Sequence, residues 1–212
     1  LKNHDFINWV AECLGRYQIK TRISAANAKS LRRILTQIKN YFGSNLRDFI
    51  VLQITGHLKQ KNQTAFSSPE LVNSAEIKAV KLDEKNRLIL NYLSENSRKT
   101  LVDIHKKTGL SIESIRQRIK RLEQTGIIKG YTININQKAL GIVVWGDLLI
   151  RFKNLETILP KLQEFVMQKR NIGRSFLLAG NWNVEIGFSA EKIDILHELI
   201  GEFLTRFSEN FA

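Results

Sequence analysis

Only one of the 212 residues is cysteine and only two are proline. A lone thiol, Cys13, excludes an internal disulfide framework, and His4, His57, His105 and His197 make no metal-ligand spacing with it. Neither a metal nor a cofactor is therefore expected. No apolar run approaches the roughly 20 residues of a membrane span. The stretch Leu1-Lys2-Asn3-His4-Asp5 has no basic segment leading into an apolar one. A membrane partner and export are both unexpected, and the compartment read from cysteine usage is a reducing cytoplasm. Acidic residues are scarce too, 20 against 33 Lys and Arg, for a formal charge of +13.

That charge is unevenly placed. Residues 1–80 hold 12 cationic against 5 acidic side chains (+7), residues 81–136 hold 12 against 6 (+6), and residues 137–212 hold 9 of each. A polyanionic partner accounts for basicity that stops at the last third, because cation release from phosphates drives sequence-independent nucleic-acid binding. A solvated lysine-rich surface accounts for it equally well.

Sliding the chain by 165 positions reveals a repeat. Gly15-Arg16-Tyr17-Gln18-Ile19 falls on Gly180-Asn181-Trp182-Asn183-Val184, and Leu31, Ile34, Leu35, Ile38 and Phe42 fall on Leu196, Leu199, Ile200, Phe203 and Phe207. Both copies read turn, strand, helix: alternation from Tyr17 to Ile23, then apolar spacing of three and four. The second copy has more upstream. Val143 to Phe152 alternates as a strand, Leu155 to Val166 forms a helical stripe with Pro160 tolerated only in its first turn, and Ile172 to Ala179 is a second strand. The first copy opens at the counterpart of that second strand and continues past its helix into Asp48 to Ile54, which reads as a last strand. Together the copies describe a ferredoxin-like β-α-β-β-α-β sandwich. The expected α+β organisation is a partial sandwich at 1–58, a linker at 59–80 marked by Ser67-Ser68-Pro69, a winged helix-turn-helix at 81–136, and a second sandwich at 137–212 lacking its last strand. Trp145 and Leu149 oppose Val144, Leu148 and Ile150 on the first strand of the second sandwich. A sheet apolar on both faces needs a partner, so a homodimer, a higher oligomer or an internal pseudo-dimer is expected.

From Leu82 to about Asn136 the pattern is three short helices and a hairpin. Asp83 is an N-cap candidate, and Leu82, Ile89, Leu90 and Leu93 give the buried side of the first helix. Thr100-Leu101-Val102-Asp103 has the capping-box spacing, Gly109 ends the second helix, and Ser111 caps the third. Ile112, Ile115, Ile119 and Leu122 form the apolar stripe of that third helix, interleaved with Ser114, Arg116, Gln117, Arg118, Lys120 and Arg121. A short helix, a glycine turn and a basic amphipathic helix is the layout in which the last helix enters the major groove of double-stranded DNA. Ser114, Gln117, Arg118 and Arg121 lie off the stripe and are the expected base-edge readers. Arg98, Lys99, Ser111, Arg116, Lys120 and Lys129 complete the expected DNA-binding set. Gly126 to Ile133 is expected to form a hairpin wing. The competing structural reading is a small bundle with a solvated basic face.

These residues carry a family resemblance. Leu82-Asp83 with Ile89-Leu90, Arg98, Ile104, Thr108-Gly109-Leu110-Ser111, Arg118 to Glu123, Gly126-Ile127-Ile128, Gly130-Tyr131 and Leu140-Gly141 resemble the Lrp/AsnC (feast/famine, leucine-responsive) transcription regulators. The likeness runs on through residues 142–212, and residues 1–58 resemble the later part of the same family's effector domain. It implies a non-enzymatic DNA-binding regulator whose α+β domain pairs subunits and binds an amino acid or similar small effector, with two family units in tandem. Three departures stand out: the extra effector half ahead of the helix-turn-helix, His105 where the family usually has alanine, and glycine turns without the aspartate that commonly follows the aromatic. Gly15, Tyr17, Gly180 and Trp182 are the expected effector-binding residues, since such turns leave backbone amides open to a carboxylate. Two alternatives share parts of this reading. One is an architectural DNA-binding protein with little sequence preference; the other is an enzyme similar to siroheme decarboxylases, whose chemistry needs converging histidines and arginines.

Overall fold

The computed structural model describes residues 6–59, 82–131 and 135–212. The chain divides into two compact units, Leu1–Leu52 and Gln53–Ala212. In the first, β1 (Ile7–Glu12) and β2 (Ile19–Ile23) pair antiparallel, and Cys13 N–H donates to Gln18 O at 2.8 Å to close the turn. Gly15 sits in that turn at φ +139°, a region that side chains avoid. Helix α1 (Ala28–Phe42) starts at Asn27, whose Oδ1 accepts from Ser30 N–H at 2.9 Å. Its Ile34 is buried, whereas Leu31, Leu35, Ile38 and Phe42 are only half-buried.

The second unit contains β3 (Gln53–Lys59), α2 (Glu84–Glu95), α3 (Leu101–Thr108), α4 (Ile112–Gln124), β4 (Val144–Ile150), α5 (Leu155–Gln168), β5 (Ile172–Ala179), β6 (Val184–Ala190) and α6 (Ile193–Phe207). Four strands form one antiparallel sheet in the order β3-β5-β6-β4. Apolar positions two apart on these strands and three or four apart on α5 and α6 meet in one core that includes Ile150, Leu162, Phe165, Ile172, Ile186, Phe203 and Phe207. Phe165 packs edge-on against Phe203 and Phe207 at 5.7 and 5.6 Å. Val144 and Leu148 pack against that core, Leu149 is half-buried, and Trp145 on the other face is 47% exposed.

The repeat offset recurs in the elements. β1 and β5 begin at 7 and 172, β2 and β6 at 19 and 184, and α1 and α6 span 28–42 and 193–207, each pair 165 apart.

Two sequence expectations need correction here. Residues 46–52 form no strand; the strand expected at Asp48 to Ile54 runs from Gln53 to Lys59 and joins the sheet of the C-terminal half, beside β5. Its anchors explain the choice. Leu58 is buried in that sheet's core, and the Lys59 ammonium donates to Val166 O and Lys169 O, both at 2.7 Å, at the end of α5 where the last carbonyls lack helical partners. In chain order the helical unit thus falls between the two edge strands of one sheet, β3 and β4. A boundary at 58/59 falls inside β3, and the rest of the expected linker, with Ser67-Ser68-Pro69, lies outside the described residues. Second, Pro160 is the sixth residue of α5, beyond the first turn. The helix continues because the carbonyl left without a partner belongs to exposed Glu156, where water can serve it. At the other edge, Phe211 forms an isolated antiparallel bridge with Phe152, and Ala212 N–H donates to Arg151 O at 2.8 Å.

Candidate nucleic-acid interface

Three fully buried isoleucines, Ile89 of α2, Ile104 of α3 and Ile115 of α4, form the centre of the helical unit, with Leu93, Leu101, Leu110 and Ile119 around them. The caps set where each helix begins. Asp83 accepts from Asn86 N–H at 2.7 Å, Ser111 Oγ from Ser114 N–H at 3.2 Å, and at α3 the capping box is complete: Asp103 N–H donates to Thr100 Oγ1 and Thr100 N–H to Asp103 Oδ2. Gly109 follows in the left-handed conformation at φ +68°. Lys85 donates to Thr108 O at 2.7 Å, and His105 Nδ1 lies 2.6 Å from Leu110 O, so the residue that departs from the family pattern bonds across the turn.

On α4 this packing decides which side chains face outward. Arg116, Gln117, Lys120 and Arg121 are exposed and share one side of the helix over two turns. Arg118 is different. Its Nη1 donates to Asp83 Oδ2 at 2.6 Å and Asn86 Oδ1 at 2.9 Å, tying α4 to the start of α2. The Arg118 bond, followed by that from the Asn86 amide, holds the Asp83 carboxyl below its ordinary value of 3.8. Arg118 thus ties α4 to the N-terminus of α2, which lies on its side of the helix. Ser114 is half-buried over its cap. Ile112 is 40% exposed and stands outside the core that its spacing suggested.

Glu113 was absent from the expected set. Its carboxylate accepts from Arg116 at 2.8 Å and Gln117 at 3.3 Å, setting both side chains from one turn earlier. The i, i+3 and i, i+4 spacing was the available signal. Around α4, Lys99 is engaged with Glu95 at 2.6 Å and over the Tyr92 ring at 4.6 Å, while Arg98 and Lys129 are exposed. Beyond Gly126, at φ +70°, residues 127–131 form no strand, and Thr132 and Ile133 of the expected wing lie outside the described residues. Tyr131 instead donates to Glu123 Oε1 at 2.7 Å; burial and that carboxylate push its phenol up to about 12.

The glycine turns are built differently from one another. Gly180 has φ +140°, matching Gly15. Near Gly15, Tyr17 OH donates weakly to Asp48 at 3.4 Å. After Gly180 and half-buried Trp182, the Asn183 amide accepts from Phe152 N–H and donates to Phe152 O, both at 2.9 Å. A carboxylate cannot make the second bond, which explains asparagine where the family commonly has aspartate.

For the enzymatic alternative, His57 on β3 stacks edge-on to Phe176 at 5.2 Å, His105 is bonded in its turn, and His197 is exposed on α6. His4 lies outside the described residues. Among the described residues no group of His, Cys, Asp and Glu could hold a metal, and no described helix is long and apolar enough to cross a membrane.

Residues 82–129 match the winged helix-turn-helix DNA-binding family profile. The HTH-type transcriptional regulator LrpA of Pyrococcus abyssi is 33% identical over 126 residues, covering 57% of this chain and 87% of that protein. The chain belongs to the Lrp/AsnC family of transcription regulators. The LrpA of Pyrococcus horikoshii is 42% identical over 86 residues, 40% of this chain and 61% of that relative's length. Among solved structures, Bacillus subtilis LrpC superposes with a TM-score of 0.54 at 26% identity, covering 62% of this chain and 90% of that one. A Neisseria meningitidis transcriptional regulator solved as an L-Met complex shares the fold, with a TM-score of 0.53 at 19% identity over 57% of this chain and 78% of that one. As a family member, this Lrp/AsnC-type chain is a DNA-binding regulator built from a helix-turn-helix and an α+β domain.

Proposed function

We propose that this regulator reads double-stranded DNA sequence-specifically through α4 in the cytoplasm, and that a small effector such as an amino acid modulates it by altering how its α+β domains assemble. The observation that carries the reading is the exposed side of α4. Arg116, Gln117, Lys120 and Arg121 stand over two turns on a helix whose other side is anchored by Ile115 and Arg118. Guanidinium and amide groups in that position form bidentate pairs with guanine and adenine edges, and the ammonium of Lys120 suits phosphate. Arg98, Lys99 and Lys129 supply sequence-independent affinity. The residues 1–52 act as a second, partial effector half of the same type, and the glycine turns with Tyr17 and Trp182 are the effector's place.

Selection of bound fragments from random DNA defines the operator, and Gln117→Ala is then compared with Lys129→Ala. Gln117→Ala is expected to lose about 1–3 kcal/mol of preference at one base pair. Lys129→Ala should weaken all sequences alike and reduce the salt slope by about one. A protein that recovers no preferred sequence from the selection is an architectural binder, and the reading fails. Thermal shift with a panel of amino acids tests the effector; stabilisation that persists unchanged in Gly180→Val moves its site away from the turn.

A further inference from the structure

Two carboxylates stand on α4, and they are placed differently. Glu123, near the end of the helix, accepts from the Tyr131 hydroxyl at 2.7 Å. Glu113 is the second residue of α4, two before Ile115, and so lies almost opposite that buried side chain around the helix. It shares the outward side with Arg116, Gln117 and Lys120, at spacings of three, four and seven, and all four are exposed. One anionic group therefore stands amid the cationic surface, at the N-terminal end of the helix, where helix-turn-helix docking places its contacts to base edges.

A carboxylate on that surface opposes binding to a polyanion. Folding does not depend on it, because its pair with Arg116 is 63% and 61% exposed and surface pairs at this spacing contribute little. Its oxygens are partly engaged: Oε2 accepts from Arg116 Nη1 at 2.8 Å and Oε1 from Gln117 Nε2 at 3.3 Å. An ionised carboxylate has about four acceptor sites, so each oxygen keeps one open. Phosphates, guanine O6 and N7 and thymine O4 are all acceptors and repel it. Adenine sets its N6 amino group beside the N7 acceptor, whereas cytosine presents N4 as a donor, the base group that carboxylates read in the major groove.

We propose that Glu113 selects a cytosine, and that it does so as much by weakening other sequences as by strengthening the right one. The inference rests on α4 being the DNA-contacting helix, the reading given above. Repulsion by phosphates lowers affinity for every sequence. The loss is offset only where a cytosine N4 meets the open acceptor sites, with Arg116 and Gln117 holding the carboxylate in place.

Selection of bound fragments from random DNA is run on the wild-type chain and on Glu113→Ala, Arg116→Ala and Gln117→Ala. Alanine is the strongest helix former and Glu113 is exposed, so α4 stays folded in the first variant. Glu113→Ala is expected to lose a cytosine preference of about 5- to 150-fold at one base pair that the other two variants still specify. Random DNA should bind it more tightly, with a salt slope steeper by up to about one as Arg116 is released to phosphates. A wild-type motif that keeps every position in Glu113→Ala overturns the inference alone and leaves the carboxylate serving only the helix dipole. Loss confined to a pair also lost in Arg116→Ala or Gln117→Ala overturns it too, reducing Glu113 to positioning those side chains. Random-DNA affinity that falls in Glu113→Ala refutes the repulsion on which the selection depends. A wild-type chain that yields no preferred sequence overturns the reading of α4 and this inference together.

Discussion

Ile115→Ala should uncouple the DNA-reading helix from the rest of the molecule. Ile115 is wholly buried against Ile89 and Ile104, and its ring of neighbours, Leu93, Leu101, Leu110 and Ile119, is only partly buried. Truncating a buried isoleucine costs about 2–5 kcal/mol, and a small cluster that can collapse from its rim lies at the lower end, about 2–3.5 kcal/mol. A unit of this size has only about 2.5–7 kcal/mol of stability to lose. The change therefore removes much of what holds α4 in place. Ile112→Ala, one turn earlier and 40% exposed, should stay within about 0.5 kcal/mol of wild type. The aromatics separate the two regions in a thermal melt. All three tryptophans, Trp9, Trp145 and Trp182, lie outside residues 82–131, which hold Tyr92 and Tyr131. Far-ultraviolet circular dichroism should show early loss of part of the helix signal in Ile115→Ala while tryptophan fluorescence reports an unchanged transition, and DNA binding should fall with the early phase. Equal effects of the two substitutions, or a tryptophan transition that moves with the helices, would refute the reasoning.

Two further outcomes follow from single side chains. Arg118→Ala should lower the melting temperature while leaving the ratio of operator to random-DNA affinity unchanged. Because Arg118 holds the Asp83 carboxyl below its ordinary value, its contribution is present above the unfolded carboxyl range near pH 4 and is lost as pH falls through the lower folded value. The variant's melts should accordingly be less acid-sensitive, and lost sequence preference with wild-type melting would return Arg118 to the reading set. Asn183→Asp should destabilise the C-terminal sheet by about 1–3 kcal/mol at neutral pH, since a carboxylate then faces Phe152 O. That opposition raises the folded pKa of the introduced carboxyl, so melting temperature should recover on acidification; pH-independent melts would show that the amide bond contributes nothing.

Patterns that act over a few residues were legible from the sequence. The Thr100 and Asp103 box, the Gly109 stop, the Ser111 cap and the three-four spacing of α1 and α6 specify their helices locally, because each satisfies backbone groups or presents one face within a turn or two. The repeat was legible for the same reason, since equivalent elements need equivalent periodicity. Tertiary structure alone decided the rest. Ile112 and Ile115 are the same residue at matching places in one stripe, and packing buries only the second. Arg118 looks like its neighbours Arg116 and Arg121 until the N-terminus of α2 claims its guanidinium. Strand β3 departs furthest from its local reading, because a strand's hydrogen bonds go to whichever edge is near in space. Its partner β5 lies more than 100 residues away, and Leu58 in that core and Lys59 on the last carbonyls of α5 hold it there.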